Sequence, residues 1–112
     1  MTTNMHTADA MKYYDFSRTG NVLILFIKTK DAQLAKRCDF YATLAWFLNN
    51  EAAGFEYFEF FADKLGLDYD VADRSQVPKD SLIWSADSIE LETTRAYEME
   101  FRRLMQEWYD EQ

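Results

Sequence analysis

The alternation of apolar and polar positions divides this chain into an N-terminal β segment and three helical segments. Residues 22–28 (VLILFIK) form a short, almost continuously apolar run that is typical of a buried strand, although so short a run also fits the start of a buried helix. A turn signal at residues 17–21, with Gly20 and Asn21, separates this run from a second candidate strand at residues 11–16. Residues 11–29 are therefore expected to form a β-hairpin or a single buried strand.

Three helices are predicted from apolar residues at three- and four-residue spacing. The first covers residues 31–49 with Asp31 as its N-cap, and the second covers residues 55–65 and ends at Gly66. Residues 67–85 are expected to be irregular apart from a candidate short strand at 82–84. The last helix is predicted over residues 86–109, with Ser85 as its N-cap. The expected core stripes are Leu34, Cys38, Tyr41, Leu44, Ala45 and Leu48; Phe55, Phe58, Phe61, Ala62 and Leu65; and Tyr97, Phe101, Leu104, Met105 and Trp108.

These elements predict a helix-dominated α+β fold in which a β-hairpin or buried strand precedes three helices, with an all-α four-helix bundle as the alternative. The 112 residues suit one domain, so we expect a flexible N-terminus at residues 1–10 and a single globular domain over residues 11–112. The longest strictly apolar run, residues 22–27, is far shorter than the ~20 residues of a membrane span, and the N-terminus does not resemble a secretory signal. One cysteine, Cys38, allows no intramolecular disulfide, so a cytoplasmic location is expected.

The residues that carry most enzyme chemistry are scarce. The single histidine, His6, lies in the polar N-terminal segment, while Cys38 lies on a predicted core stripe, so the two are not expected to form a nucleophilic pair. The acidic segment that begins at Asp68 does not match a calcium-binding loop. Its fifth position needs a ligand but is Ala72, and its sixth needs a glycine but is Asp73. We therefore expect no catalytic residue, no cofactor and no metal site, and predict that the chain is not an enzyme.

The net charge of −8 is unevenly distributed along the chain. Residues 1–40 hold six basic and four acidic residues, a balance of +2, whereas residues 41–70 and 71–112 each have a balance of −5. Because phosphates and anionic lipids repel an acidic chain, we expect no direct binding to nucleic acid or to membranes. The expected partner is another protein with a basic surface, and the alternative is that the acid only maintains solubility.

The acidic residues of the predicted helices suggest how such a partner would be bound. Glu56, Glu59 and Asp63 share one helical face, and carboxylates four to seven residues apart on a helix lie roughly 6–10 Å apart, which approaches the spacing of phosphates on a nucleic acid. In size and acidity, though in no motif, the chain resembles the small acidic proteins with which bacteriophages and mobile elements block host defence enzymes. The acidic residues expected to bind a partner are Glu56, Glu59, Asp63, Asp68, Asp70, Glu100, Glu107 and Glu111.

Aromatic residues make up 17% of the chain, and some of them fall outside the predicted core stripes. Trp46 is predicted on the polar side of the first helix, Phe40 and Phe47 on a second apolar flank, and Phe60 beside the acidic face of the second helix. These four rings are either core or part of an interface, including that of a homodimer. Two functions therefore stay open. The first is an acidic inhibitor or regulator, with imitation of a nucleic acid as one mode of binding. The second is a structural or assembly protein, such as a homo-oligomeric subunit or a small assembly chaperone, that acts through its aromatic surfaces.

Overall fold

A computed structural model describes residues 12–16, 25–49 and 55–112 of the chain. The chain divides into two compact units: Met1–Ala32 with Asp68–Ile89, and Gln33–Leu67 with Glu90–Gln112. The first unit contains a β-sheet and the second contains helices. The predicted flexible segment at residues 1–10 lies outside the described residues, and the single globular domain over residues 11–112 stays a prediction.

The first unit is built on a four-stranded sheet of β1 (Lys12–Asp15), β2 (Leu25–Thr29), β3 (Tyr69–Asp73) and β4 (Ile83–Ser85). The order of the strands in the sheet is β3-β2-β1-β4. The first two strands pair antiparallel, as do β2 and β3, whereas β4 lies parallel to β1. The antiparallel pairing of the first two strands confirms the predicted N-terminal β structure, and the predicted turn at residues 17–21 lies outside the described residues. A sheet of this size excludes the alternative four-helix bundle.

Strand β2 is buried on both faces of the sheet. Tyr14 lies opposite Ile27 in the ladder, and both side chains are fully buried on one face. Phe26 points to the other face, where it is also buried and the guanidinium carbon of Arg74 lies 5.7 Å from its ring centroid. A strand buried on both faces is apolar at consecutive positions, which explains why this segment lacks the alternation of a half-exposed strand.

The second unit contains three helices: α1 (Ala32–Asn49), α2 (Phe55–Leu65) and α3 (Arg95–Asp110). The first two agree with the predicted bounds to within one residue. Gly66 ends α2 with a φ of 76°, a conformation that glycine adopts without strain, and the Leu67 N–H donates to the Ala62 carbonyl at 2.9 Å. Among the described residues, no helix is long and apolar enough to cross a membrane.

The predicted start of the last helix at residue 86 is wrong, because α3 begins at Arg95. The Thr94 side chain caps it by accepting a hydrogen bond from the Tyr97 N–H at 3.4 Å. Ser85, the predicted N-cap, makes no side-chain capping bond and precedes a single 3₁₀ turn over Ala86–Ser88. The helix start predicted at Ser85 thus corresponds to a single 3₁₀ turn, which is separate from α3.

The expectation that residues 67–85 are irregular is also wrong in part. This segment contains β3 and β4, and the short strand suggested at residues 82–84 is present as Ile83–Ser85. Between them, Asp73 caps a 3₁₀ turn by accepting hydrogen bonds from the backbone N–H groups of Ser75 and Gln76. Its hydrogen bonds with Ser75 and Gln76 lower the pKa of Asp73.

The helical unit has an aromatic core. Tyr41 on α1 and Phe61 on α2 are fully buried, and their ring centroids lie 5.4 Å apart in an edge-to-face arrangement. Leu48, expected on the core stripe of α1, is instead 62% exposed. The other buried side chains of this unit are Ala35, Cys38, Asp39, Ala42, Ala45, Tyr57, Phe58, Ala62, Leu67, Leu104 and Met105.

Candidate protein-binding surfaces

Helix α2 presents an acidic face made of Glu56, Glu59 and Asp63. All three residues are exposed, and the apolar side chains of the opposite side, including Phe58 and Phe61, are buried. None of the three carboxylates forms an ion pair with another residue in the described part of the chain. Their positions differ by about 4.5 and 6 Å of rise along the helix axis, so the face carries three negative charges within roughly two turns.

The one basic residue of α2 does not offset this face, because it binds α3. The Lys64 ammonium contacts Glu107 at 3.0 Å and Glu111 at 2.9 Å. Its hydrogen bonds to Glu111 and Glu107 raise the pKa of Lys64, so the residue remains a cation across the physiological range. Glu107 also pairs with Arg103 at 3.0 Å. The negative charges of Glu107 and Glu111, both predicted to bind a partner, are therefore largely compensated by neighbouring cations.

Glu100, another predicted partner-binding residue, belongs to a polar cluster inside the helical unit. Its carboxylate pairs with the Arg37 guanidinium and accepts a hydrogen bond from the Tyr41 hydroxyl at 2.7 Å. The Arg37 guanidinium also lies 4.3 Å from the Tyr97 ring centroid, in cation–π contact. The Glu100 carboxylate thus joins α1 to α3 and has a structural role in the helical unit.

Burial and hydrogen bonding shift the pKa values of this cluster. Burial raises the pKa of Tyr41 to about 12, and the hydrogen bond to Glu100 acts in the same direction. Burial by itself would lower the pKa of Arg37, but its hydrogen bonds to Tyr41 and Glu100 raise it. At neutral pH, the cluster therefore holds a neutral phenol between a cation and a carboxylate.

The two remaining predicted acidic residues, Asp68 and Asp70, lie in the sheet unit rather than on the helices. Both are exposed. Asp70 is a β3 residue that lies opposite Lys28 of β2 in the ladder, an arrangement in which opposite charges stabilise the strand pair. The acidic residues predicted to bind a partner are thus divided between the two units.

The aromatic candidates divide into packed and exposed rings. Phe60 is half-buried. Its ring centroid lies 5.1 Å from the ring centroid of Trp108 and 5.3 Å from the Lys64 ammonium. Trp46 and Phe47 are 43% and 69% exposed, and their rings contact each other edge to face at 5.0 Å. Together with Leu48, they form an exposed apolar end of α1. The helical spacing of apolar residues did not predict that Leu48 is exposed, because it placed this residue on the core side of α1.

Phe40, the last aromatic candidate, lines a groove of about 500 Å³ in the helical unit. Leu44 and Phe101 contribute further apolar walls, and Thr94 and Arg95 line the part of the groove at the start of α3. The helix-based prediction did not find this groove, because it assigned the residues at the start of α3 to a helix interior.

Among the described residues, no group of three or more histidine, cysteine or acidic side chains could hold a metal ion. The Cys38 thiol is fully buried, while His6 lies outside the described residues. That the chain is not an enzyme stays a prediction. Comparisons with protein-family models, curated proteins and solved structures found no match.

Proposed function

We propose that this protein is a non-enzymatic inhibitor or regulator that docks the acidic face of α2 on a basic surface of another protein. The observation that carries the proposal is the exposure of Glu56, Glu59 and Asp63 without an ion-pair partner among the described residues. By contrast, Glu100, Glu107 and Glu111 of the helical unit are paired with basic side chains.

Long-range attraction favours this function over simple solvation. A chain of net charge −8 is drawn to cationic surfaces, and a compact row of carboxylates directs the approach. Nucleic-acid-binding clefts are basic surfaces shaped for regularly spaced negative charges. We propose that the α2 face occupies such a cleft as a nucleic-acid mimic, in the way that phage-type inhibitors do, and that the protein acts in the cytoplasm, where a lone thiol such as Cys38 stays reduced.

The test is a triple charge reversal, Glu56→Lys, Glu59→Lys and Asp63→Lys, measured against a partner isolated with the wild-type protein. We expect the association rate constant to fall at least tenfold, because electrostatic steering acts on encounter. Wild-type binding should weaken steeply between 50 and 500 mM salt, and the partner should bind its own nucleic acid less well when this protein is present.

A matched control variant makes the same change in net charge at residues outside α2. Asp87→Lys, Glu90→Lys and Glu92→Lys alter three other exposed carboxylates and, like the α2 reversal, change the net charge from −8 to −2. This control should bind much faster than the α2 variant. Exposed substitutions usually change folding stability by about 0.5 kcal/mol or less each, so both proteins should remain folded. Equal association rates for the two variants, together with salt-independent wild-type binding, would mean that the α2 face is only solvated surface.

A second candidate function is assembly through an apolar surface, as a homo-oligomeric subunit or small assembly chaperone. It is favoured by the exposure of three consecutive apolar residues, Trp46, Phe47 and Leu48, at the end of α1. Binding through this surface should not weaken as the salt concentration rises. The substitution Phe47→Ser should weaken it while the α2 charge reversal leaves it unchanged, which distinguishes the two functions.

A further inference from the structure

Strand β4 forms an edge of the sheet with an open hydrogen-bonding side. The Tyr13 N–H donates to the Leu82 carbonyl at 3.2 Å, so that carbonyl faces β1. Successive residues of a strand direct their peptide groups to opposite sides, and the N–H and C=O of Ile83 consequently face away from β1. In the sheet order of the described residues, no strand lies on that side.

This edge lacks the charges that usually prevent edge strands from pairing. Residues 81–85 (SLIWS) are uncharged, and Leu82 and Ile83 are 58% and 41% exposed. The opposite edge strand, β3, carries Asp70 and Asp73, so two β3 edges would repel each other. In a chain of net charge −8, the β4 edge is a place where two like-charged copies can approach.

The sequence of this edge is complementary to itself. In an antiparallel pair related by a two-fold axis at Ile83, that residue lies opposite the partner's Ile83, Leu82 lies opposite the partner's Trp84, and Ser81 lies opposite the partner's Ser85. Apolar residues therefore meet apolar ones and serine meets serine, while the two central residues exchange both N–H···O=C bonds. We propose that β4 pairs in this way with β4 of a second copy, joining two four-stranded sheets into one continuous sheet.

The resulting dimer is weak and strengthens with salt. An edge of about five residues buries less than the ~1,200 Å² of a stable interface, so a dissociation constant on the order of 100 µM is expected. Salt screens the repulsion between two acidic chains and should favour the dimer. Docking of the α2 acidic face has the opposite salt dependence, so the two proposals fail or succeed separately.

Sedimentation of the full chain from 10 µM to 1 mM, at 50 and 500 mM NaCl, tests the proposal. The wild type should pass from monomer to dimer, with more dimer at high salt. Ile83→Lys should remain monomeric at 1 mM, because two lysines would meet at the two-fold axis. Val71→Lys is the matched control, since Val71 is 45% exposed on the opposite edge strand and the charge change is the same. It should dimerise like the wild type.

Disulfide cross-linking gives a second measurement, which does not depend on whether the fold tolerates a lysine at residue 83. Paired residues of this type have Cα atoms ~5.5 Å apart, which suits a disulfide, so Ile83→Cys should form a covalent dimer on mild oxidation and Val71→Cys should not. A wild type that is monomeric at 1 mM and high salt would overturn the proposal. So would an Ile83→Lys protein that dimerises normally, because the contact would then lie elsewhere, such as at the exposed end of α1.

Discussion

Removal of one hydroxyl group, by Tyr41→Phe, tests whether the polar cluster stabilises the helical unit. The ring of Tyr41 is fully buried and would remain in place beside Phe61. The substitution deletes the hydrogen bond that the hydroxyl donates to Glu100 at 2.7 Å and its longer contact with the Tyr97 carbonyl at 3.2 Å. It also deletes the bond that the hydroxyl accepts from Arg37 at 3.3 Å. The Arg37–Glu100 ion pair itself is retained, so the perturbation is confined to the phenolic oxygen.

The expected loss follows from the charge and exposure of the partners. A hydrogen bond to a charged group contributes about 1.5–3 kcal/mol to stability. The Arg37 and Glu100 side chains are 25% and 20% exposed, so water can replace part of the lost bond. We therefore expect Tyr41→Phe to lower the free energy of unfolding at pH 7 by about 1.5 kcal/mol, the low end of that range. Tyr13→Phe is the control, because its hydroxyl makes no hydrogen bond in the described part of the chain, and it should change stability by less than about 0.5 kcal/mol.

Urea unfolding followed by tryptophan fluorescence measures this difference, and its pH dependence gives a second test. The pKa of Tyr41 is about 12 in the folded protein and 10.0 in its ordinary state. Above pH 10, the unfolded chain loses this proton while the folded chain keeps it, so the wild type loses stability as the pH rises towards 12. The phenylalanine variant has no such proton. The stability gap between wild type and variant should therefore narrow over this interval.

Two results would refute this reasoning. A Tyr41→Phe protein as stable as the Tyr13→Phe control at pH 7 would mean that the Glu100 hydrogen bond contributes nothing net. A gap that stays constant from pH 8 to pH 12 would mean that the folded protein does not hold the Tyr41 proton more tightly than the unfolded chain.

Two further predictions concern the ends of the helices. Thr94→Ala should lower the free energy of unfolding by about 1 kcal/mol through loss of the α3 cap. Ser85→Ala should have less than half that effect, because Ser85 makes no side-chain capping bond. Equal losses of stability in urea unfolding would contradict the start of α3 at Arg95. Gly66→Ala should cost about 1 kcal/mol because its φ of 76° strains any residue with a Cβ, although no atom lies within 4 Å of the added group. An alanine variant as stable as the wild type would mean that this turn does not need a positive φ.

Local patterns in the sequence determined much of the helical structure and the charge of its faces. The three- and four-residue spacing of apolar residues predicted α1 and α2, and the apolar run at residues 22–28 predicted a buried strand. The i, i+3, i+7 spacing placed Glu56, Glu59 and Asp63 on one exposed face. These properties are local because the backbone geometry of a helix alone decides which residues share a face.

Only the tertiary structure decided which strands form and which charges are free. The segment of β3 contains two aspartates, which are poor strand formers, and it becomes a strand because it pairs with β2 from the distant N-terminal part of the chain. Glu100 and Glu59 look alike in the sequence, but Glu100 meets Arg37, 63 residues away. Strand pairing and ion pairing join residues that are distant along the chain, and such contacts leave no periodic trace in a single sequence.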